Sequence, residues 1–331
     1  MPTHRSEQHE HTTQPVVRTV LGDIPAETLG ICDAHEHVII RGEFIAELFP
    51  EFLLDDADAA CVDLREFHAA GGSWIVDTMP TGAGRDALML RGVARQTRVP
   101  IVCPTGVHLP IYYPPDHPIL KMDRGALTEL FIREITAGID DGNGIADILA
   151  GVIKVAGGEN HLTAFQKETF IAAAQAQSRT GCPIITHCEN GTAGLEQAAL
   201  LERHGADLAH VVLSHCDKVN DLSYHRDLLS TGVRLEYDQH FRQIARGETC
   251  ATAKLIVELA PLFPNQIMVG MDIARRNNWR GYGGRPGLAW LVTHLPTLLT
   301  DAGLNDALLQ NILVRNAQTA FAMCPKWVQH P

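Results

Sequence analysis

The sequence predicts a single (β/α)₈ barrel. Three observations carry that expectation: eight short apolar runs alternate with eight stretches of helical spacing, no low-complexity linker divides them, and polar residues suited to chemistry gather where the apolar runs end. The runs expected to be strands are 30–40, 73–79, 100–107, 150–156, 183–187, 210–215, 233–237 and 266–272. Between them, 57–70, 85–96, 125–138, 163–179, 194–204, 221–230, 250–261 and 287–302 carry apolar residues at helical spacing. Gly71, Gly138, Gly181, Gly205 and Gly232 each stand between a helical stretch and the next apolar run, as left-handed C-terminal caps do. Extra C-terminal helix is expected over 305–313 and 316–323, beyond the eighth unit. A doubly wound open sheet is the alternative, but no GxGxxG follows the first strand.

With 331 residues, 45% hydrophobic and 20% charged, the chain can bury a sizeable core. Lys+Arg 27 against Asp+Glu 39 gives a net charge of −12, which repels phosphate backbones and anionic membrane faces. Neither nucleic acid nor membrane is therefore an expected partner. No apolar run reaches the ~18 residues of a membrane span, and the first residues lack the hydrophobic core of a signal peptide, so a cytoplasmic protein is expected. Residues 1–16, with His4, His9 and His11, read as a disordered leader, and 17–331 as one domain. The eight cysteines show no CxxC spacing, and neither disulfides nor a zinc ribbon are expected.

His35 and His37 stand two apart in Cys32-Asp33-Ala34-His35-Glu36-His37. The period of a strand puts both imidazoles on one face, where they can share a metal. Such a pair can equally be packed core, and position decides, because chemistry in a barrel sits at the C-terminal strand ends. Lys154 lies in Val152-Ile153-Lys154-Val155, a run apolar enough to be buried on both faces, where a bare ammonium is costly. Three readings suit it: an amine of depressed pKa for Schiff-base chemistry, a neutral amine that takes up carbon dioxide to form a carbamate between two cations, or a head group escaping to the barrel mouth. His187 and His215 close the fifth and sixth runs, and Asp272 closes the eighth. Together with a lysine on the fourth, these five residues describe a dinuclear metal site. Nitrogen and carboxylate ligands suit zinc, manganese, cobalt or iron.

A resemblance rests on Thr19-Val20-Leu21-Gly22-Asp23-Ile24-Pro25, His35-x-His37, Gly151-Val152-Ile153-Lys154-Val155, Thr186-His187, Ser214-His215-Cys216-Asp217 and Met271-Asp272. In order and spacing these resemble the phosphotriesterase family of the amidohydrolase superfamily, from about residue 18 to 324. The resemblance implies a (β/α)₈ barrel of amidohydrolase type. It makes His35, His37 and Asp272 ligands of the more buried of two divalent ions and His187 and His215 ligands of the exposed one. Lys154, carrying a carbamate derived from carbon dioxide, would bridge them. Zinc is the expected metal, with manganese or cobalt as alternatives. The implied reaction is hydrolysis without a covalent intermediate, in which two cations activate hydroxide and Asp272 is the catalytic group that moves the proton. A homodimer is the assembly implied.

Substrate choice is expected in the loops after the seventh and eighth strands. Residues 272–285 hold Arg275, Arg276, Arg280 and Arg285 and, after Asp272, no acid. With Tyr237-Asp238-Gln239 and Gly157-Gly158, this loop is similar to family members that open phosphorylated sugar lactones. By that similarity Arg275 and Arg242 would bind the phosphate of a small anionic substrate. Asn278 stands where an aromatic hydroxyl is expected, and Arg242 where lysine is usual. The competing readings are a phosphotriesterase or aryl esterase, an acyl-homoserine lactonase, an amidase, a metal-free Schiff-base aldolase using Lys154, and a non-catalytic binding protein.

Overall fold

A computed structural model describes residues 14–142 and 144–323. His4, His9 and His11 of the expected leader, and Cys324, lie outside the described residues. The expected boundary after residue 16 falls inside structure. Val16–Thr19 (β1) and Gly22–Pro25 (β2) form an antiparallel hairpin. Val16 exchanges backbone hydrogen bonds with Met323 at 3.0 and 2.9 Å. The apolar pair Val16-Val17 ends the polar leader, and Val17 is buried.

The barrel is built from Ile31–Glu36 (β3), Gly72–Asp77 (β4), Ile101–Val102 (β5), Pro104–Val107 (β6), Val152–Gly157 (β7), Ile184–Cys188 (β8), Val211–Ser214 (β9), Arg234–Tyr237 (β10) and Ile267–Val269 (β11). All pairings within it are parallel. The third expected strand is two pieces: β5 pairs with β4 and β6 with β7, with the break at Cys103. Closure runs between the first and last staves, where Asp272 N donates to His35 O at 2.9 Å and Met271 N to Asp33 Oδ1 at 3.0 Å. The barrel therefore has the eight staves expected of it.

Polar caps start the surrounding helices, each accepting backbone N–H groups that the first turn leaves unpaired. Asp56 caps Ala57–Ala69, Asp86 caps Ala87–Thr97, Asp123 caps Arg124–Thr136 and Asp221 caps Leu222–Ser230. Thr163 and Gln166 form a reciprocal capping box on Ala164–Thr180, which Gly181 ends at φ 74°. The helix expected over 287–302 is two short ones, Trp290–Thr293 and Leu295–Asp301. Pro296 explains the break, because its missing N–H suits a first turn and not an interior. The two helices expected over 305–323 are one continuous rod, in which a π turn over Asn311–Arg315 joins Asp306–Gln310 to Asn316–Ala320.

Inside the barrel Cys32, Trp74, Val76, Val102, Val152, Ile185, Val212 and Met268 pack with Val17 and Phe321. Trp74 and Phe321 meet edge to face at 6.1 Å. These large apolar side chains fill the lumen and leave the polar groups to the C-terminal strand ends. Outside, Arg85 is buried and donates to Glu134 at 2.8 and 2.9 Å, Asp141 at 2.6 Å and the Pro104 carbonyl at 2.6 Å. That network ties the loop after β4 to helix Arg124–Thr136. No helix among the described residues is long and apolar enough to cross a membrane.

Candidate metal centre

All six expected ligands converge at the C-terminal end of the barrel. His35 ends near the tip of β3 and His37 just beyond it, with ring centroids 5.6 Å apart. Their Nε2 atoms lie 3.9 and 3.4 Å from Asp272 Oδ1. The His187 and His215 rings are 4.5 Å apart, and His215 is 4.6 Å from His35. Lys154 on β7 is fully buried, with Nζ 3.3 Å from His35 Nε2. Gly106 on β6 faces it in register, and a Cβ there would stand 1.8 Å from the Lys154 carbonyl oxygen. Only glycine permits so close an approach, the more so at φ 120°.

Two of the six sit on left-handed backbone, His215 at φ 68° and Asp272 at φ 47°. A side chain with a Cβ rarely adopts that conformation, and such residues cluster at functional sites. The turn ends the ladder early: the eighth strand stops at Val269 rather than at Asp272 as expected.

Burial lowers the proton affinity of His35, His187 and His215, leaving neutral imidazoles at neutral pH, which is the ligand form. It also pushes Lys154 down to about 8, against the pull of Asp272 and Glu236. For Asp272 burial acts upward, but the hydrogen bond from His37 and the charge of Arg242 outweigh it and hold the carboxyl well below the usual range. Ligand atoms of His35, His37 and Asp272 lie within 4.8 Å of one another, as do those of His215, Asp238 and Asp272. Among the described residues, His37 Nδ1 and both Glu236 oxygens are buried without a hydrogen-bond partner. Neutral imidazoles, an ionised carboxylate and a neutralisable amine at these separations fit divalent cations.

Supporting residues escaped the sequence reasoning. Ser214 Oγ lies 2.9 Å from His35 Nδ1, and Glu236 Oε2 lies 3.4 Å from the same nitrogen. Asp238 accepts from His215 Nδ1 and thereby orients the ring. His187 Nε2 meets Glu189 Oε2 at 2.8 Å. Glu36 accepts from the backbone of His37 at 2.7 Å and of Ile273 at 3.3 Å, stitching the first strand to the last loop. Glu236 and Asp238, two apart at the end of an apolar run, carried the same signal as His35 and His37.

Above these residues opens a cavity of about 290 Å³, lined by His37, His187, His215 and Asp272 and by Lys218, Arg242 and Arg275. A larger one, about 590 Å³, lies at the N-terminal strand ends beside Pro15, His210 and Met323 and holds none of the ligands. The basic loop is mostly answered by acids: Arg276 lies 3.7 Å from Asp55, and Arg280 2.8 Å from Glu66. Asp63 anchors it by accepting from the backbone of Arg280, Gly281 and Leu288. Arg275 reaches the cavity, 3.7 Å from Glu51 and 4.8 Å above the Phe52 ring. Arg242 also reaches it, but its guanidinium donates to the carbonyls of Asp238, Met271 and Asp272.

Residues 15–321 match the phosphotriesterase family. A phospho-furanose lactonase of Mycoplasmopsis agalactiae is 29% identical over 321 residues, 92% of this chain and 91% of that protein. The crystal structure of an amidohydrolase from Mycoplasma synoviae superposes with TM-score 0.88 at 30% identity, covering 94% of this chain and 92% of the other. That of the lactonase Lmo2620 from Listeria monocytogenes gives TM-score 0.86 at 28% identity, covering 92% and 98%.

Proposed function

The chain belongs to the phosphotriesterase family and is a hydrolase, and from that premise we propose that it is a metal-dependent lactonase that opens the lactone of a phosphorylated sugar acid. The observation that carries this reading is the convergence of His35, His37, Lys154, His187, His215 and Asp272 beneath one cavity. His35, His37 and Asp272 would hold one divalent ion and His187 and His215 the other, with Lys154 as a carbamate between them. Zinc suits this donor set, and manganese or cobalt would too. When bound, two such ions lower the pKa of water and polarise a carbonyl.

The chain's own residues supply the rest. Asp272, ionised at neutral pH, accepts the proton of the attacking water as the carbonyl carbon gains its new C–O bond. It then hands that proton to the ring oxygen as the old C–O bond breaks, leaving a hydroxy acid. Asp238 holds the His215 ring through Nδ1, and Ser214 holds His35 through its own. Arg275 at the rim supplies positive charge for a phosphate.

The Schiff-base alternative needs a substrate carbonyl to reach Lys154 Nζ. That atom is fully buried against His35, and Lys154 is not part of the cavity wall. The test is a hydrolysis screen of the metal-loaded protein against phosphorylated and unphosphorylated aldonolactones, acyl-homoserine lactones, aryl esters and phosphotriesters. The phosphorylated lactone should have the highest kcat/KM. Preference for an uncharged ester or a phosphotriester would overturn the substrate and leave the hydrolase.

A further inference from the structure

A phosphorylated lactone needs a second cation beside Arg275, and the resemblance offers Arg242 for it. We infer that Arg242 is instead a positioning residue for Asp272, and that Lys218 shares the substrate's anionic group with Arg275; the second half rests on the lactonase reading above.

A guanidinium has five N–H donors. Arg242 directs Nη1 to the carbonyls of Asp238 at 2.7 Å and Met271 at 3.2 Å. Its Nη2 meets the Asp272 carbonyl and, at 3.2 Å, Asp272 Oδ2. Four donors are thus committed, all to the loops after β10 and β11, and the Phe241 ring lies 4.5 Å from the guanidinium carbon. Swinging the group toward a phosphate would strip three carbonyls of their partner. It would also release Asp272 from a left-handed turn that its Cβ disfavours. Oδ1 of Asp272 faces His35 and His37 while Oδ2 faces Arg242, so the arginine fixes the carboxylate's orientation as well as its backbone. Lysine could not do this, because one ammonium cannot span three carbonyls and a carboxylate. That geometry accounts for arginine at a position where the resemblance leads one to expect lysine.

Lys218 has the complementary properties. It closes the short turn Cys216–Lys218 directly after His215, is exposed, and lines the same cavity as Arg275. Among the described residues Lys218 forms no ion pair, although Glu189 on the same cavity wall feels its charge. Arg275, half exposed and 3.7 Å from Glu51, is likewise held loosely. The two cations rise from the loops after β9 and β11 and line one cavity, so both are available to an anion bound in it. Side chains without strong partners can close on a phosphate without breaking existing contacts.

The experiment uses the metal-loaded protein and ribose 5-phosphate, which has no scissile lactone bond, with binding read by calorimetry. Lys218→Met and Arg275→Ala should each weaken its Kd about tenfold or more, the loss of one charge-assisted contact. Arg242→Met should leave that Kd within about twofold, and Arg242→Lys should lower kcat at near-constant KM about tenfold or more on whichever lactone or ester the wild type hydrolyses. Lys218→Met binding ribose 5-phosphate like wild type, or wild type not binding it, overturns the anion pair. Arg242→Met weakening ribose 5-phosphate as strongly as Arg275→Ala, or Arg242→Lys keeping full kcat, overturns the positioning role. If only uncharged esters are hydrolysed, the lactonase reading fails, while the kcat comparison on those esters still decides for Arg242.

Discussion

Replacing Asp238 by asparagine keeps the side chain's shape and removes its charge. Asp238 is fully buried just after β10, where it accepts from His215 Nδ1 and from Gln239 Nε2 and lies 3.6 Å from Arg242 Nη1. Its carboxylate thereby selects the His215 tautomer whose other nitrogen is free to bind a cation, and it makes that nitrogen more basic. Losing an outer partner of this type costs about 10- to 100-fold in metal affinity, or about 1.4–2.7 kcal/mol. Solvent does not screen the pair, since neither side chain is more than 1% exposed, so the full range applies. The assay is competition: zinc-loaded wild type and Asp238→Asn are titrated with a chelator, and retained metal is measured per chain. The variant should release its weaker zinc at a chelator concentration about 10- to 100-fold lower. Coincident release curves would refute the reasoning that His215 is a ligand held by Asp238.

Lys154→Ala should prevent assembly of the metal pair, and a short carboxylic acid such as acetate should partly restore it by occupying the vacated bridge; borohydride trapping of substrate on Lys154 would instead establish the aldolase chemistry. The buried Lys154 amine, lowered from 10.5 to about 8, favours the neutral form in the fold. Its contribution to apo stability is complete above pH 10.5 and lost as pH falls through about 8, a difference of about 3 kcal/mol in urea titrations at the two extremes. By the same sign, reconstitution with bicarbonate and zinc should quicken as pH rises through about 8, because the neutral amine takes up carbon dioxide. Arg85→Met should cost about 3–5 kcal/mol in thermal or urea unfolding, because it strands the buried Glu134 carboxylate beside Asp141. An unchanged midpoint would show that network to be dispensable.

The convergence of the six candidate residues was legible because two periodicities coincide. A strand's alternation set His35 and His37 on one face, and the barrel's topology put the ends of the other strands beside them. Lys154 was legible for the opposite reason, as a charge in a run too apolar to hold it. Long-range pairing was not legible. The acids beside Arg275, Arg276 and Arg280, namely Glu51, Asp55 and Glu66, were hidden because they lie over 200 residues away in sequence. Nor does any sequence pattern show that main-chain carbonyls take the donors of Arg242. The β1–β2 hairpin was missed because its four-residue strands are too short for periodicity to register. Chain geometry also split the third strand at Cys103, where no glycine or proline cluster marks a break beyond the single Pro104.

On this reading a two-cation hydrolase centre stands at the C-terminal end of the barrel. Its most direct test is a zinc titration of metal-free protein in bicarbonate buffer, with hydrolysis of the best substrate from the screen followed at each addition. Activity should rise from near zero and break at two equivalents of zinc per chain, one for each ligand set. Full activity in the metal-free protein, or a plateau independent of added metal, would contradict it.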